Sequence, residues 1–162
     1  MTNDPFAISS ELLETIKTIL PTDGKILEIG SGSGTHELRK MATVYSIEQD
    51  FKYAVPSEGP HTTFLVPIDH ATNWYDVEAL KKALEGLRYD LILIDGPAGH
   101  GREGFVGNMG LFDLDATIVV DDMHRISNQK LAEAIKAKCG REYTIHKTGD
   151  VRTFALFTRK PL

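Results

Sequence analysis

A chain of 162 residues that is 41% hydrophobic and 25% charged has the apolar content of a globular core, which excludes disorder, and its length points to one domain over residues 1–162. A net charge of −5 with no Lys/Arg cluster argues against a nucleic-acid partner, and no apolar run approaches the ~20 residues of a membrane span. The single cysteine, Cys139, excludes an internal disulfide, and the opening Met-Thr-Asn-Asp-Pro lacks the basic-then-apolar pattern of a signal peptide, so a reducing, cytoplasmic location is expected.

The spacing of Leu12, Ile16, Ile19 and Leu20 predicts a helix over 9–20, ended by Pro21. A strand over 25–30 runs into glycines at 30, 32 and 34, and Thr35–Met41 reads as a short helix. Thr43–Glu48 is the second strand. Pro56, Gly59 and Pro60 make 51–62 a loop. Thr63–Ile68 is the third strand, and Pro67, which has no N–H to donate, predicts that it lies at a sheet edge. A helix over 74–86 follows, aligned by Val77, Leu80, Leu84 and Leu87. Tyr89–Ile94 and Ala116–Val120 are continuously apolar, as buried parallel strands are. Residues 96–110 are glycine-rich with one poor helix. Ser127 is the expected cap of a helix that carries Leu131, Ile135 and Cys139 and stops at Gly140. Tyr143–Lys147 and Arg152–Arg159 form a hairpin around Gly149-Asp150. Strands alternating with helices predict an α/β fold with ligands beyond the strand C-termini.

Each of these strand ends carries an acid: Glu48, Asp69, Asp95, and the pair Asp121-Asp122. Gathering like charges on one rim costs stability, so their concentration there points to chemistry. The glycines let backbone approach a nucleoside closely. Glu48, 18 residues after Gly30, is spaced to accept hydrogen bonds from both ribose hydroxyls. A dinucleotide fingerprint would need glycine at position 35, where Thr35 stands, and Glu28 just before the turn would repel a pyrophosphate. Glu28 is suited instead to organising an amino-acid ammonium, directly or through water. These points favour a nucleoside with an uncharged linker, such as S-adenosylmethionine.

The run Glu28-Ile29-Gly30-Ser31-Gly32-Ser33-Gly34, with Glu48 ending the second strand, resembles the class I S-adenosylmethionine-dependent methyltransferases over nearly the whole chain. The resemblance implies a Rossmann-like sheet of seven strands in the order 3-2-1-4-5-7-6, the last antiparallel, with helices on both faces. It assigns Glu28, Gly30, Ser31, Gly32 and Gly34 to the methionine moiety, Glu48 and Gln49 to the ribose, and Asp69 and His70 to the adenine, with Asp95 beside them. The missing helix between the second and third strands departs from the pattern. Phe51 or Tyr53 would wall the adenine or pack in the core.

Asp95, Asp121 and Asp122 offer the oxygen ligands that Mg²⁺ prefers. With Asp121-Asp122-Met123-His124 they resemble metal-dependent O-methyltransferases of the catechol and sugar types. Asp95-Gly96-Pro97 and Asp122–Arg125 are similar to segments of polysaccharide O-methyltransferases. In that scheme a metal acidifies the acceptor hydroxyl and His124 takes its proton. His100 is the rival base, in a Gly99-His100-Gly101-Arg102 stretch expected to be a mobile lid. Arg102 and Arg125 would bind an acidic acceptor or pair with neighbouring acids. His36 and His61 are expected at the surface, and Trp74 in the core or at the rim.

The leading expectation is metal-assisted O-methylation of a small-molecule or saccharide hydroxyl; if a second subunit of a homo-oligomer completes the acceptor site, the shortness of the chain is no obstacle. The alternative is a silent S-adenosylmethionine-binding module. An NAD-dependent oxidoreductase is disfavoured by Thr35 and Glu28.

Overall fold

A computed structural model of the chain describes residues 7–98 and 101–161. Helix α1 (Ser10–Ile19) starts at Ser9, whose Oγ accepts from the Leu12 N–H at 3.2 Å, and buries Leu12 and Ile16. It leads into β1 (Lys25–Ile29), α2 (Ser33–Leu38), β2 (Thr43–Glu48) and β3 (His61–Leu65). Two short strands, β4 (Ile68–Asp69) and β5 (Trp74–Tyr75), pair antiparallel ahead of α3 (Val77–Leu84). Then come β6 (Leu91–Ile94), a 3-10 turn over Gly101–Glu103, α4 (Gly104–Gly107), a second 3-10 turn over Met109–Leu111, β7 (Thr117–Val120), α5 (Ile126–Cys139) and the hairpin β8 (Thr144–Lys147) and β9 (Thr153–Phe157).

The main sheet has seven strands in the order β3-β2-β1-β6-β7-β9-β8. With the small β4-β5 pair set aside, this is the expected 3-2-1-4-5-7-6 order, and β9 runs antiparallel to both neighbours. The central strands β6 and β7 are buried at every position because both faces are covered, and alternate residues feed different cores. Leu27, Ile29, Ile92, Ile94, Ile118 and Val120 join Trp74, Tyr75, Phe105, Leu131 and Ile135 on one face. Ile26, Val44, Leu91, Leu93 and Val119 join Leu12, Ile16 and Leu38 on the other.

Three local expectations are corrected. The third strand stops at Leu65, not residue 68, and Pro67 lies beyond it with its carbonyl accepting from the Asp76 N–H at 2.8 Å. β3 is nevertheless at the sheet edge. Trp74 and Tyr75 belong to β5, and α3 begins only after Asp76, whose Oδ1 accepts from the Ala79 N–H at 2.8 Å. Ser127 sits inside α5, not at its cap: Arg125 is the capping residue and provides no side-chain bond. Gly140 ends that helix with φ of 65°.

Register positions the site. Ile29 stands opposite both Ile47 and Ile94, and Ile94 opposite Val120. The residues that follow them, Gly30, Glu48, Asp95 and Asp121, therefore meet along one rim.

Candidate cofactor and acceptor rim

Gly30 leaves β1 with φ of +91° and donates its N–H to the Ile47 carbonyl at 2.8 Å. Its backbone lies against Gly96, the residue after Asp95. A Cβ on Gly30 would stand 2.8 Å from the Gly96 Cα, and a Cβ on Gly96 2.7 Å from the Gly30 Cα. Gly32 is different, because a Cβ there would meet nothing within 4 Å, so its face is open. Gly34 is a packing glycine against Ile8, 3.0 Å from where a Cβ would be. Ser31 ties the loop sideways, its Oγ donating to the Tyr53 carbonyl at 2.8 Å.

Both expected acids of the loop are buried. The Glu48 carboxylate accepts three backbone N–H groups, from Ser31 at 2.9 Å, Gln49 at 2.9 Å and Asp50 at 2.8 Å. Oε2 carries only one of these and keeps acceptor capacity for a ligand hydroxyl. Burial pushes its pKa up against these bonds. Beside it, Gln49 Oε1 is buried without a partner among the described residues. Glu28 accepts from Thr35 Oγ1 at 2.8 Å and from Ser46 Oγ at 2.6 Å, while Thr35 Oγ1 accepts from the Gly32 N–H at 3.0 Å. Burial raises the Glu28 carboxyl to about 8.

This network continues to a residue that the sequence had suggested was at the surface. His61 is buried, at 2% exposure, with Nε2 2.9 Å from Ser46 Oγ and 3.1 Å from Thr63 Oγ1. Ser46 spends its proton on Glu28 and Thr63 on the Val55 carbonyl, so the network assigns the His61 proton to Nε2. His36 is exposed, as expected. The missed signal is register: His61 pairs with Val44 and Thr63 with Ser46, next to the Glu28–Ser46 pair.

Asp95, Asp121 and Asp122 do reach one rim, but not as a metal centre. Arg102 Nη2 donates to the Asp95 carbonyl at 3.0 Å and to Asp95 Oδ1 at 3.1 Å, and it lies 3.6 Å from Asp122 Oδ2. Arg125 approaches the same Asp122 oxygen at 3.5 Å. The Asp121 carboxylate is turned onto the Asp122 N–H at 2.8 Å, and Asp122 itself has φ of +55°, a conformation uncommon outside glycine. Among the described residues no group of three or more His, Cys, Asp or Glu side chains converges to hold an ion. Of the expected Mg²⁺ triad, two members, Asp95 and Asp122, are bridged by a guanidinium. Arg102 Nη1 is buried without a partner among the described residues. Burial pushes Asp95 up to about 7 and also raises Asp121, with the neighbouring acids adding and Arg102 opposing.

His124 is exposed on the turn after Asp122, and His100 lies outside the described residues, as does Gly99. The remaining lid residues are held, not loose. A Cβ on Gly101 would stand 2.1 Å from the Asn73 carbonyl oxygen, and one on Gly104 2.5 Å from Trp74. Trp74 is core, edge-on to Tyr75. Asp69 and His70 are exposed, and Asp69 Oδ1 accepts from the Ala71 N–H at 2.9 Å. Phe51 and Tyr53 are exposed at 81% and 57%, which removes them from the core.

No family model matches the chain, and no curated protein sequence does. Solved structures resemble its fold. MycE, a methyltransferase of the mycinamycin biosynthetic pathway in complex with Mg and SAH, has a TM-score of 0.59 at 16% identity, over 92% of this chain and 45% of its own. This chain therefore spans less than half of MycE. A proposed caffeoyl-CoA O-methyltransferase from Staphylococcus aureus has a TM-score of 0.66 at 14% identity, over 93% of this chain and 84% of its own. Precorrin 8w decarboxylase from Methanobacterium thermoautotrophicum has a TM-score of 0.66 at 14% identity, over 99% and 100%. The fold is that of the class I methyltransferases. The reactions named for these neighbours differ, so fold alone does not name this chain's reaction.

Proposed function

We propose that this protein binds S-adenosylmethionine at the Gly30–Gly34 loop and transfers its methyl group to an oxygen of a small-molecule or saccharide acceptor. The observation that carries the cofactor reading is the unspent capacity around Glu48: a free acceptor position on Oε2, the partnerless Oε1 of Gln49, and the open face of Gly32. These are the features a ribose and a methionine moiety would fill. When bound, the cofactor supplies an electrophilic methyl group on sulfur.

The chain's own residues do the rest. Gly32, whose face is open, admits the ligand to the backbone of the Gly30–Gly34 loop, while Gly30 and Gly34 seat that loop against Gly96 and Ile8, and Glu28 holds it from below through Thr35. Glu48 and Gln49 take the ribose, and Asp69 and His70 border the adenine. Asp95 stands across the Gly30–Gly96 contact, on the acceptor side. His124 is the base that receives the acceptor proton. Asp95, its carboxyl raised by burial to about 7, is a rim group able to carry a proton at neutral pH. The residues present do not fit Mg²⁺, and no step is assigned to it.

Calorimetry with S-adenosylhomocysteine and with NAD tests the cofactor. Micromolar binding of the former and none of the latter is expected, and failure to bind S-adenosylhomocysteine would sink the reading. Isotope-labelled methyl transfer to hydroxyl-bearing acceptor pools tests the reaction. Cofactor binding with no labelled product from any pool would favour a silent binding module instead.

A further inference from the structure

We infer that Arg102 is a resident counter-cation that takes the place of a divalent ion at the acceptor rim, so that the rim of the native protein binds no such ion. The inference rests on the reading of this rim as an acceptor site, but its test does not require methyl transfer.

Four observations converge on it. Arg102 is buried, with a tenth of its side chain exposed, and one nitrogen, Nη2, serves the Asp95 carbonyl, the Asp95 carboxylate and the Asp122 carboxylate together. Mg²⁺ would need oxygen ligands at about 2.0–2.1 Å in near-octahedral array, and a guanidinium between two of the carboxylates denies it that approach by charge and by volume. Next, Asp122 adopts φ of +55°, so the backbone tolerates an uncommon conformation where its carboxylate lies within 3.6 Å of Arg102. Third, Nη1 of the same group is buried without a partner among the described residues. The hydrogen bonds seen among the described residues are thus gathered on Nη2, on the side of the group that faces Asp95 and Asp122. Finally, the guanidinium is not on a loose arm. Gly101 and Gly104 press the segment on either side of it against Asn73 and Trp74, at distances where any side chain would collide.

The test uses Mn²⁺ as the probe, followed by electron paramagnetic resonance, on the full-length protein with and without S-adenosylhomocysteine. Wild type is expected to leave Mn²⁺ free up to millimolar concentrations. R102Q is expected to gain a site binding at least tenfold more tightly, and R102Q/D122N to lose it. R102K, which keeps the charge, is expected to remain without the site. A wild-type Mn²⁺ site that D122N abolishes would overturn the inference, as would R102Q gaining no site while folded by circular dichroism, or R102K gaining one. The wild-type and R102K measurements decide the matter if R102Q does not fold. Loss of S-adenosylhomocysteine binding by wild type would instead count against the cofactor reading, so the two failures are separable.

Discussion

Glu48 illustrates how one side chain can serve fold and ligand together. Three backbone amides converge on its carboxylate, so the end of β2, the glycine loop and the following turn share one anchor. Glu48→Gln replaces an acceptor oxygen with an N–H₂ that faces N–H donors. Hydrogen bonds to charged groups contribute ~1.5–3 kcal/mol, so S-adenosylhomocysteine affinity should fall roughly 10- to 100-fold, measured by calorimetry. Affinity unchanged within twofold would remove Glu48 from the site. The place of Glu48 was legible in the sequence because strand end and spacing are local properties. Pairing of Arg102 with neighbouring acids was legible too, as one of two readings, whereas the burial of His61 was not, because it depends on what other strands bring to it. Arg141 is a similar case. It is buried, donates to the Ala116 carbonyl at 3.0 Å and the Thr158 carbonyl at 2.6 Å, and also reaches Leu114, binding the start of β7 and the end of β9 to the C-terminus of α5. No periodicity announces such a residue.

Among the elements, the decisive contact is between two loops rather than two strands. The turn after β1 and the turn after β6 cross with their glycine backbones touching, which brings the Gly30–Gly34 loop against the Asp95 turn. Gly96→Ala would set a methyl 2.7 Å from the Gly30 Cα, against backbone that cannot swing aside. Overpacking of this kind costs about 1–3 kcal/mol, and denaturant melts should find Gly96→Ala destabilised by that amount, with Gly32→Ala nearly as stable as wild type. An equal loss for both variants would contradict the crossing. The sequence marks Gly30 through its place after a strand, but Gly96 only as one of several glycines in a rich segment. The same ambiguity bears on Gly101, which the sequence offered as part of a lid, and on Gly104. Glycine permits motion and permits close packing, and only the neighbour, here Asn73 or Trp74, distinguishes them. Element boundaries slipped at Pro67 and Trp74 because a two-residue strand pair has too few residues to show a period.

For the whole molecule, alternation of strand and helix, continuous apolar runs and a terminal hairpin made the α/β class readable, while the order of the seven strands came only from the resemblance of the glycine loop and Glu48 to a known family, because pairing between distant strands leaves no local pattern. The cost of the fold is visible in pH dependence. Glu28 carries a carboxyl raised by burial from 4.5 to about 8, so between these values the folded state holds a proton that the unfolded chain has released. The stabilising contribution of this proton is complete below about 4.5 and is lost as pH rises through about 8. The slope from this group approaches ~1.4 kcal/mol per pH unit. Asp95 and Asp121, also raised, act in the same direction. Glu28→Gln keeps the shape and removes the titration, so its stability should fall less steeply than wild type between pH 5 and pH 8 in urea melts. Parallel curves for the two proteins would refute the burial of a titrating Glu28.

The chain of groups from Gly32 through Thr35, Glu28 and Ser46 to His61 runs across β1, β2 and β3 instead of along them. Covalent backbone carries mechanical constraint lengthwise in a sheet; this crosswise line spans two strand spacings, about 10 Å, from the outer margin to the glycine loop. If it transmits constraint, the rigidity of the loop depends on the margin. His61→Phe fills the same space and cuts the line at its far end. It should slacken the Gly32 amide, seen as faster hydrogen exchange there, and weaken S-adenosylhomocysteine binding a few-fold from a position no ligand touches. Unaltered exchange at Gly32 would mean that the line ends at Glu28, and that the edge strand is only a wall.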